Sequence, residues 1–545
     1  MSRFVRASKY RHVFGQQAKK EHNVENVKVT NSAWDTNVVA ASANYISVNW
    51  NASGGGAFAI LPLPSPFAPI ANGFPTKLPD TLPLARSHTA AVLDTDWSPH
   101  NDSVVASGGE DGSVFIWKVE QGVFDGWGEE GWAPRDFDPV AKIAASPRKI
   151  GQVVFHPTAN MVLASASGEH TIKLWDLAGT DAPRATLTGH GDTIQSFTFN
   201  STGTLLASTC RDRKLRLFDP RAGGEAVRTA ESHGGVKGSR VVWMGDHDRI
   251  ATTGFSKMSD RQVGIWETGG LSSIKMTTLD QSAGVVMPFW SENNILFLAG
   301  KGDGNIRYYE YESDSLFALD EYKSSDPQRG MCFLPRRALN ISECEIARAY
   351  KVHSTYIEAI GFRVPRKSDS FQSDLYPPAP SAEPSVSPAE FFSGKPVQRK
   401  VVSLDSGETT SSAVAATPAA LASPAPAPTP SAPAPAPVVS PSPILPQVSS
   451  PPASAAPISR SVSISEGPTK TSSAPAPAPA PQPELKHNRD EGSGALQAEN
   501  AHLKEENAQL SGELREARTK LRELELQVES MRANAKKAAQ ALLEA

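Results

Sequence analysis

The segments Glu110–Trp117 (EDGSVFIW), Gly168–Trp175 (GEHTIKLW), Arg211–Phe218 (RDRKLRLF), Ser259–Trp266 (SDRQVGIW) and Gly302–Tyr309 (GDGNIRYY) end alike. Their final aromatics lie 58, 43, 48 and 43 residues apart. Six residues before each aromatic stands an acid: Asp111, Glu169, Asp212, Asp260 and Asp303. Ten before it stands a serine in four copies (Ser107, Ser165, Ser208, Ser256) and Ala299 in the fifth. The pattern encodes a tight hairpin. An acid- and Gly-rich turn reverses the chain, and the next strand alternates apolar and polar residues before placing its aromatic on a packed face. A fixed period of this kind marks units that bury their apolar faces only against one another.

A His early in a repeat (His88, His190, His233) is placed to join the Ser, the acid and the Trp in one buried hydrogen-bond chain. The set His88, Ser107, Asp111 and Trp117 is the most complete. These spacings resemble WD40 repeats of about 40–45 residues, four strands to a blade. Two less regular stretches, 24–61 and 330–365, supply further blades, with Phe58, Ile60 and Leu61 as the last-strand residues of the first. The fold class expected is all-β, a seven-bladed propeller. An N-terminal strand should close the last blade, since an open ring leaves two unpaired edges. The run 118–147, with Trp127 and Trp132, reads as an insertion that lengthens the first spacing.

The 545 residues carry a net charge of only −4, so no overall field points to nucleic acid. Residues 1–28 are locally basic, with Arg3, Arg6, Lys9, Arg11, Lys19, Lys20 and Lys28. The cysteines Cys210, Cys332 and Cys344 form neither a disulfide framework nor a zinc site. No apolar run suits a signal peptide or a membrane span, and the expected address is the cytosol. Gly54–Gly56 and GKGDGN (300–305) lack the spacing and terminal Lys of a phosphate loop and read as turns. The recurring Asp and His are structural, because a catalytic group is needed once. No enzyme, cofactor or metal is expected.

From about 377 to 483 the chain turns to Pro, Ala and Ser, a composition with too little apolar surface to offset ordering entropy. After about 494 Leu, Glu, Lys, Arg and Ala dominate without proline, over seven heptads. Leu503, Leu510 and Leu524 fall at d, and Leu514, Leu521 and Val528 at a. In a parallel homomer the flanking pairs Glu499–Lys504, Glu513–Arg518 and Lys520–Glu525 are all of opposite charge. A parallel self-associating coiled coil follows. The stretch Lys520–Glu525 is similar to a trimer signature with Lys in place of Arg, and trimer is favoured over dimer. The expected organisation is a propeller (1–365), an extension packed on it (366–400), a disordered linker (401–493) and an oligomerising coiled coil (494–545).

Several strings together resemble the coronin family: SRFVRASKYRHVFGQ (2–16), WSPHNDSVVASGGEDG (97–112), TTGFSKMSDRQVGIWE (252–267), LAGKGDGNIRYYEYE (298–312), CEIARAYKV (344–352) and VPRKSDSFQSDLYPP (364–378). The resemblance covers nearly all of residues 1–400. It implies a seven-bladed propeller that binds actin filaments (F-actin), aided by the coiled coil. It also implies work with cofilin and the Arp complex in branching and turnover, at actin patches or the cell cortex. A basic residue on the first blade contributes to actin contact in that family, and Lys28 stands at that position. Arg211, Arg213 and Lys214 form a second basic cluster suited to an acidic filament surface. Bundling would arise from avidity, as a linker of about 110 residues reaches roughly 55–60 Å. Against this stands a general WD40 adaptor, in protein degradation or vesicle traffic, that does not touch actin.

Overall fold

The computed structural model describes residues 6–32, 36–53, 56–63, 77–120, 122–127, 131–366 and 371–411, with Gln509 and Gly512. The chain divides into two units, Met1–Pro428 and Thr429–Ala545. In the first unit, six four-stranded antiparallel sheets and one five-stranded sheet follow one another along the sequence. A three-stranded sheet follows them. In the second unit only Gln509 and Gly512 are described, both helical. Linker residues 412–493 and the coiled-coil positions Leu503, Leu510, Leu514, Lys520, Leu521, Leu524, Glu525 and Val528 lie outside the described residues.

Blades 1 to 7 begin with Val39–Ala41, Val92–Trp97, Ile150–Phe155, Ile194–Phe199, Arg240–Trp243, Val286–Ser291 and Gly330–Phe333, and these first strands surround a central axis. The fourth strands, such as Ser273–Asp280, are the most exposed. First strands line the axis, so their inner edges have no strand partner. Side chains from the neighbouring blade fill that need. Asp94 accepts from Val153 N at 3.0 Å, and Asp96 accepts from Phe155 N at 2.7 Å. Gln152 exchanges two hydrogen bonds with the Phe197 backbone, and Gln195 accepts from Ser239 N. The ring is thus stapled blade to blade at its hub.

Burial pushes the Asp94 and Asp96 carboxyls up to about 7. A carboxyl raised in the folded state carries no penalty below its unfolded value of about 4. It costs stability progressively as pH climbs from there to about 7, because the unfolded chain ionises first. Asp96→Asn keeps an acceptor for Phe155 and removes that cost. Its melting temperature should exceed that of the parent at pH 8 and not at pH 4, as read by circular dichroism. Asp96→Ala should lose about 1–3 kcal/mol at pH 4, because a buried N–H is left unpaired, and less at pH 8, where it too is relieved of the ionisation cost.

The ring closes through its N-terminus. Phe14–Gln17 pairs antiparallel with Tyr356–Arg363 and becomes the outer strand of the last blade, with Val24–Glu25 beside it. Tyr10 and Val13 are buried there, Tyr308 Oη donating to Val13 O at 3.0 Å. The insertion after Trp117 is packed. Trp127 and Trp132 stack at 5.2 Å, Asp136 accepts from Leu84 N, and Phe137 N donates to Leu84 O. The loop thereby covers the outer strand of blade 1.

The boundary expected at 400 falls inside a hairpin. Lys400–Val402 pairs with Thr409–Ser411 on one side and Ala379–Pro380 on the other. This sheet lies within the Pro-, Ala- and Ser-rich stretch, and its last strand, Thr409–Ser411, extends past residue 401.

Candidate functional site

Antiparallel meanders whose first strands all run the same way put two kinds of loop on opposite faces. Turns between second and third strands share one face with the blade-to-blade connections. Turns between first and second strands lie on the other. The C-terminal extension occupies this second face. His100 Nδ1 is 3.2 Å from Ala382 O, Ser385 N donates to Thr158 O, and the Phe391 ring lies 4.3 Å from that of His156. Arg399 bridges Asp246 and Glu292 at 2.9 and 3.0 Å. The helix Pro388–Phe392 that carries Phe391 starts with a capping box, Ser387 and Glu390.

The four positions expected to bind a partner lie on the opposite face, which no described residue of the extension covers. Lys28 runs between blades rather than within one. Val27 N donates to Thr355 O in the last blade, and Asn51 N of blade 1 donates to Lys28 O. The Lys28 side chain is 42% exposed, and its ammonium sits 3.4 Å from Asp80, whose side chain is 86% exposed. Asn26 and then Lys28 hold the Asp80 carboxyl below its ordinary range. Asp80 was missed in the sequence, because a restraint 52 residues away leaves no local signal. An exposed pair of this kind is worth little and is easily exchanged for another acid.

Arg211, Arg213 and Lys214 lie on the turn of blade 4, with Arg213 in the left-handed region at φ 67°. Burial opposes ionisation of Asp212, but Arg216 at 2.6 Å and the N–H groups of Gly191 and Lys214 outweigh it. Its carboxyl therefore sits well below the ordinary range. Because Arg216 occupies Asp212, no carboxylate lies within 4 Å of Arg211, Arg213 or Lys214 among the described residues. The structure puts this cluster and Lys28 on the same face but three blades apart.

The set in blade 2 assembles in full and lies in the core. Trp117 Nε1 donates to Ser107 Oγ at 2.9 Å, and Ser107 Oγ is 2.8 Å from His88 Nε2. His88 Nδ1 reaches Asp111 at 3.0 Å. Other blades keep parts of it. Trp175 bonds Ser165, and His190 bonds Ser208. In blade 5 the expected Ser256 is replaced. Thr252 Oγ1 accepts from Trp266 Nε1 at 2.7 Å and meets His233 at 2.9 Å, while Ser256 bonds Asp260 in the turn. The hairpin there is four residues longer, so counting back ten stops short. In blade 6 the place belongs to Leu298, one residue before the expected Ala299, and Tyr309 has no indole N–H to satisfy. Among the described residues no acidic, His or Cys group could hold a metal ion, and no helix is long and apolar enough to cross a membrane.

Comparison with known proteins agrees with this geometry. Residues 81–118, 138–176 and 181–219 match the WD domain, G-beta repeat, and residues 357–398 match a type of WD40 repeat. Residues 3–67 match a domain of unknown function. The chain is 49% identical over 426 residues to coronin-like protein crn1 of Schizosaccharomyces pombe, covering 76% of this chain and 68% of that one. It is 47% identical to the coronin-like protein of Saccharomyces cerevisiae, covering 73% of this chain and 60% of that one. Coronin-A of Dictyostelium discoideum is 42% identical, with 75% and 87% covered. The crystal structure of the WD40 domain of Toxoplasma gondii coronin superposes with a TM-score of 0.64 at 29% identity, covering 72% of this chain and 97% of that one. Fold and repeats together define a WD40 β-propeller protein, a non-enzymatic scaffold. Within that class, the chain belongs to the coronin family.

Proposed function

We propose that this chain is an actin-filament-binding scaffold that bundles filaments and regulates the branching and turnover of actin networks. The observation that carries the reading is the pair of exposed basic sites, Lys28 and the Arg211–Arg213–Lys214 turn, on the face that the extension leaves open. An acidic filament would be drawn to that face by charge complementarity. The Arp complex and cofilin are the further partners, and actin patches or the cell cortex the location, on the strength of family membership.

Bundling rests on the heptads after residue 494, which would join several propellers into one homo-oligomer, a trimer before a dimer. Each propeller then contributes a modest affinity that tethering multiplies. Removing residues 495–545 should abolish the bundles collected by low-speed centrifugation with actin filaments. High-speed pelleting should persist with an affinity weakened about tenfold or more. Undiminished bundling by the truncated chain would refute the avidity mechanism.

A further inference from the structure

One family-specific string, TTGFSKMSDRQ (252–262), contains more than the blade pattern requires. Thr252 stands fourteen residues before Trp266, whereas Ser107 stands ten before Trp117. The extra residues build an ordered turn. Ser256 Oγ donates to Asp260 at 2.8 Å and accepts from the N–H groups of Met258 and Asp260, each at 3.1 Å. Ser256 N donates to Asp260 O, and Ser259 takes a left-handed φ of 67°. This turn holds Met258 in solvent at 84% exposure.

Met258 has company. Gly235 N donates to Phe255 O at 2.8 Å, and Gly234 packs against the Lys257 stem. The blade-to-blade loop is thereby locked beside the turn, presenting Val236 at 62% exposure. Lys237 lies 4.9 Å above the Phe255 ring, and Lys257 is exposed. Ser232 N donates to Arg213 O, which joins this loop to the basic turn of blade 4. Of the nearby acids, Asp260 is engaged with Ser256 and Asp212 with Arg216, while Glu231 stands exposed opposite Lys214. Two exposed apolar side chains on an ordered platform, with Lys237 and Lys257 as their neighbours in the chain, form a pattern that a solvated loop does not need. Hot spots take this form, an apolar anchor inside a charged rim on a preorganised support.

We propose that Met258 and Val236 are an anchor that enters an apolar recess on an acidic protein surface, with Lys237, Lys257 and Arg213 guiding the approach. The proposal rests on the filament reading above and assigns that acidic surface to the actin filament. Charge attraction and apolar burial respond differently to salt, which makes the anchor separable from its rim.

The test is co-sedimentation of the full chain with actin filaments at low and physiological salt, comparing the parent with Met258→Ser/Val236→Ser and Lys237→Glu/Lys257→Glu. The apolar variant should weaken binding on the order of tenfold at both salts, with an unchanged salt slope and an unchanged melting temperature. The charge variant should flatten the slope. A parent that pellets while the apolar variant binds equally well would overturn the anchor and leave the filament reading standing. A parent that does not pellet at either salt would overturn both. Two further results would also overturn the proposal. One is loss by the apolar variant of binding to phosphatidylserine vesicles instead of filaments, which gives the patch to a membrane. The other is a fall in its sedimentation-velocity mass, which gives the patch to a second copy.

Discussion

Deleting residues 1–18 should leave a chain that fails to unfold as one cooperative unit. The segment removed contains the closing strand Phe14–Gln17 and the buried residues Tyr10, Val13 and Ala18. Three such side chains stabilise the fold by about 1.5–3 kcal/mol for the larger and less for alanine, together about 4–7 kcal/mol. That approaches the whole stability of a typical domain, about 5–15 kcal/mol. The deletion also strips Tyr308 Oη and Asn293 Nδ2 of the partners they find at Val13 O and Tyr10 Oη. It bares the edge of Tyr356–Arg363, a template for pairing with other chains. Thermal melts should show an early or broadened transition with aggregation, and hydrogen exchange should speed up first in Tyr356–Arg363, the strand left without its partner. A sharp melt at the parental temperature would mean that the ring does not depend on its N-terminal closure.

The paired charge reversal Lys28→Glu/Arg213→Glu should weaken filament binding by about 10- to 100-fold at low salt. Each reversal removes an attraction and adds a repulsion, four terms in all, and at about 0.4–0.7 kcal/mol for each exposed pair they give about 1.6–2.8 kcal/mol. The fold should be spared. Both side chains are exposed, and only Asp80 among the described residues bridges either of them. Because the sites lie three blades apart on one face, their effects should add. A single reversal should then cost about half as much free energy as the pair. If the pair costs no more than Lys28→Glu alone, blade 4 lies outside the interface.

Much of this architecture was legible in the residues. The five aligned hairpins carry their own turn chemistry and strand alternation, so their spacing alone places five blades. Blades 1 and 7 lack that turn signature. What betrays them is the apolar character of Phe58, Ile60 and Leu61 and of the run Glu345–Val352, every residue of which is buried. Counting residues fails where a hairpin changes length. Thr252 was hidden for that reason, although Ile250-Ala251-Thr252 repeats the sense of Val105-Ala106-Ser107 and Leu206-Ala207-Ser208. The hub staples from Asp94, Asp96, Gln152 and Gln195 are invisible in sequence, because each acts across a blade boundary on a backbone group. The pairing of Lys28 with Asp80 is hidden for the same reason. The end of the extension is blurred because the hairpin Lys400–Ser411 is short and polar and resembles the low-complexity chain that follows.

The measurement that bears most directly on function is high-speed co-sedimentation of the full-length protein with actin filaments across a salt series, alone and as Lys28→Glu/Arg213→Glu. Binding by the parent that weakens steadily with salt, and a variant with lower affinity and a shallower salt slope, would place the filament on the open, basic face. Parental binding that ignores salt, or a variant that pellets like the parent, would contradict that placement. No pelleting at any salt would contradict filament binding itself.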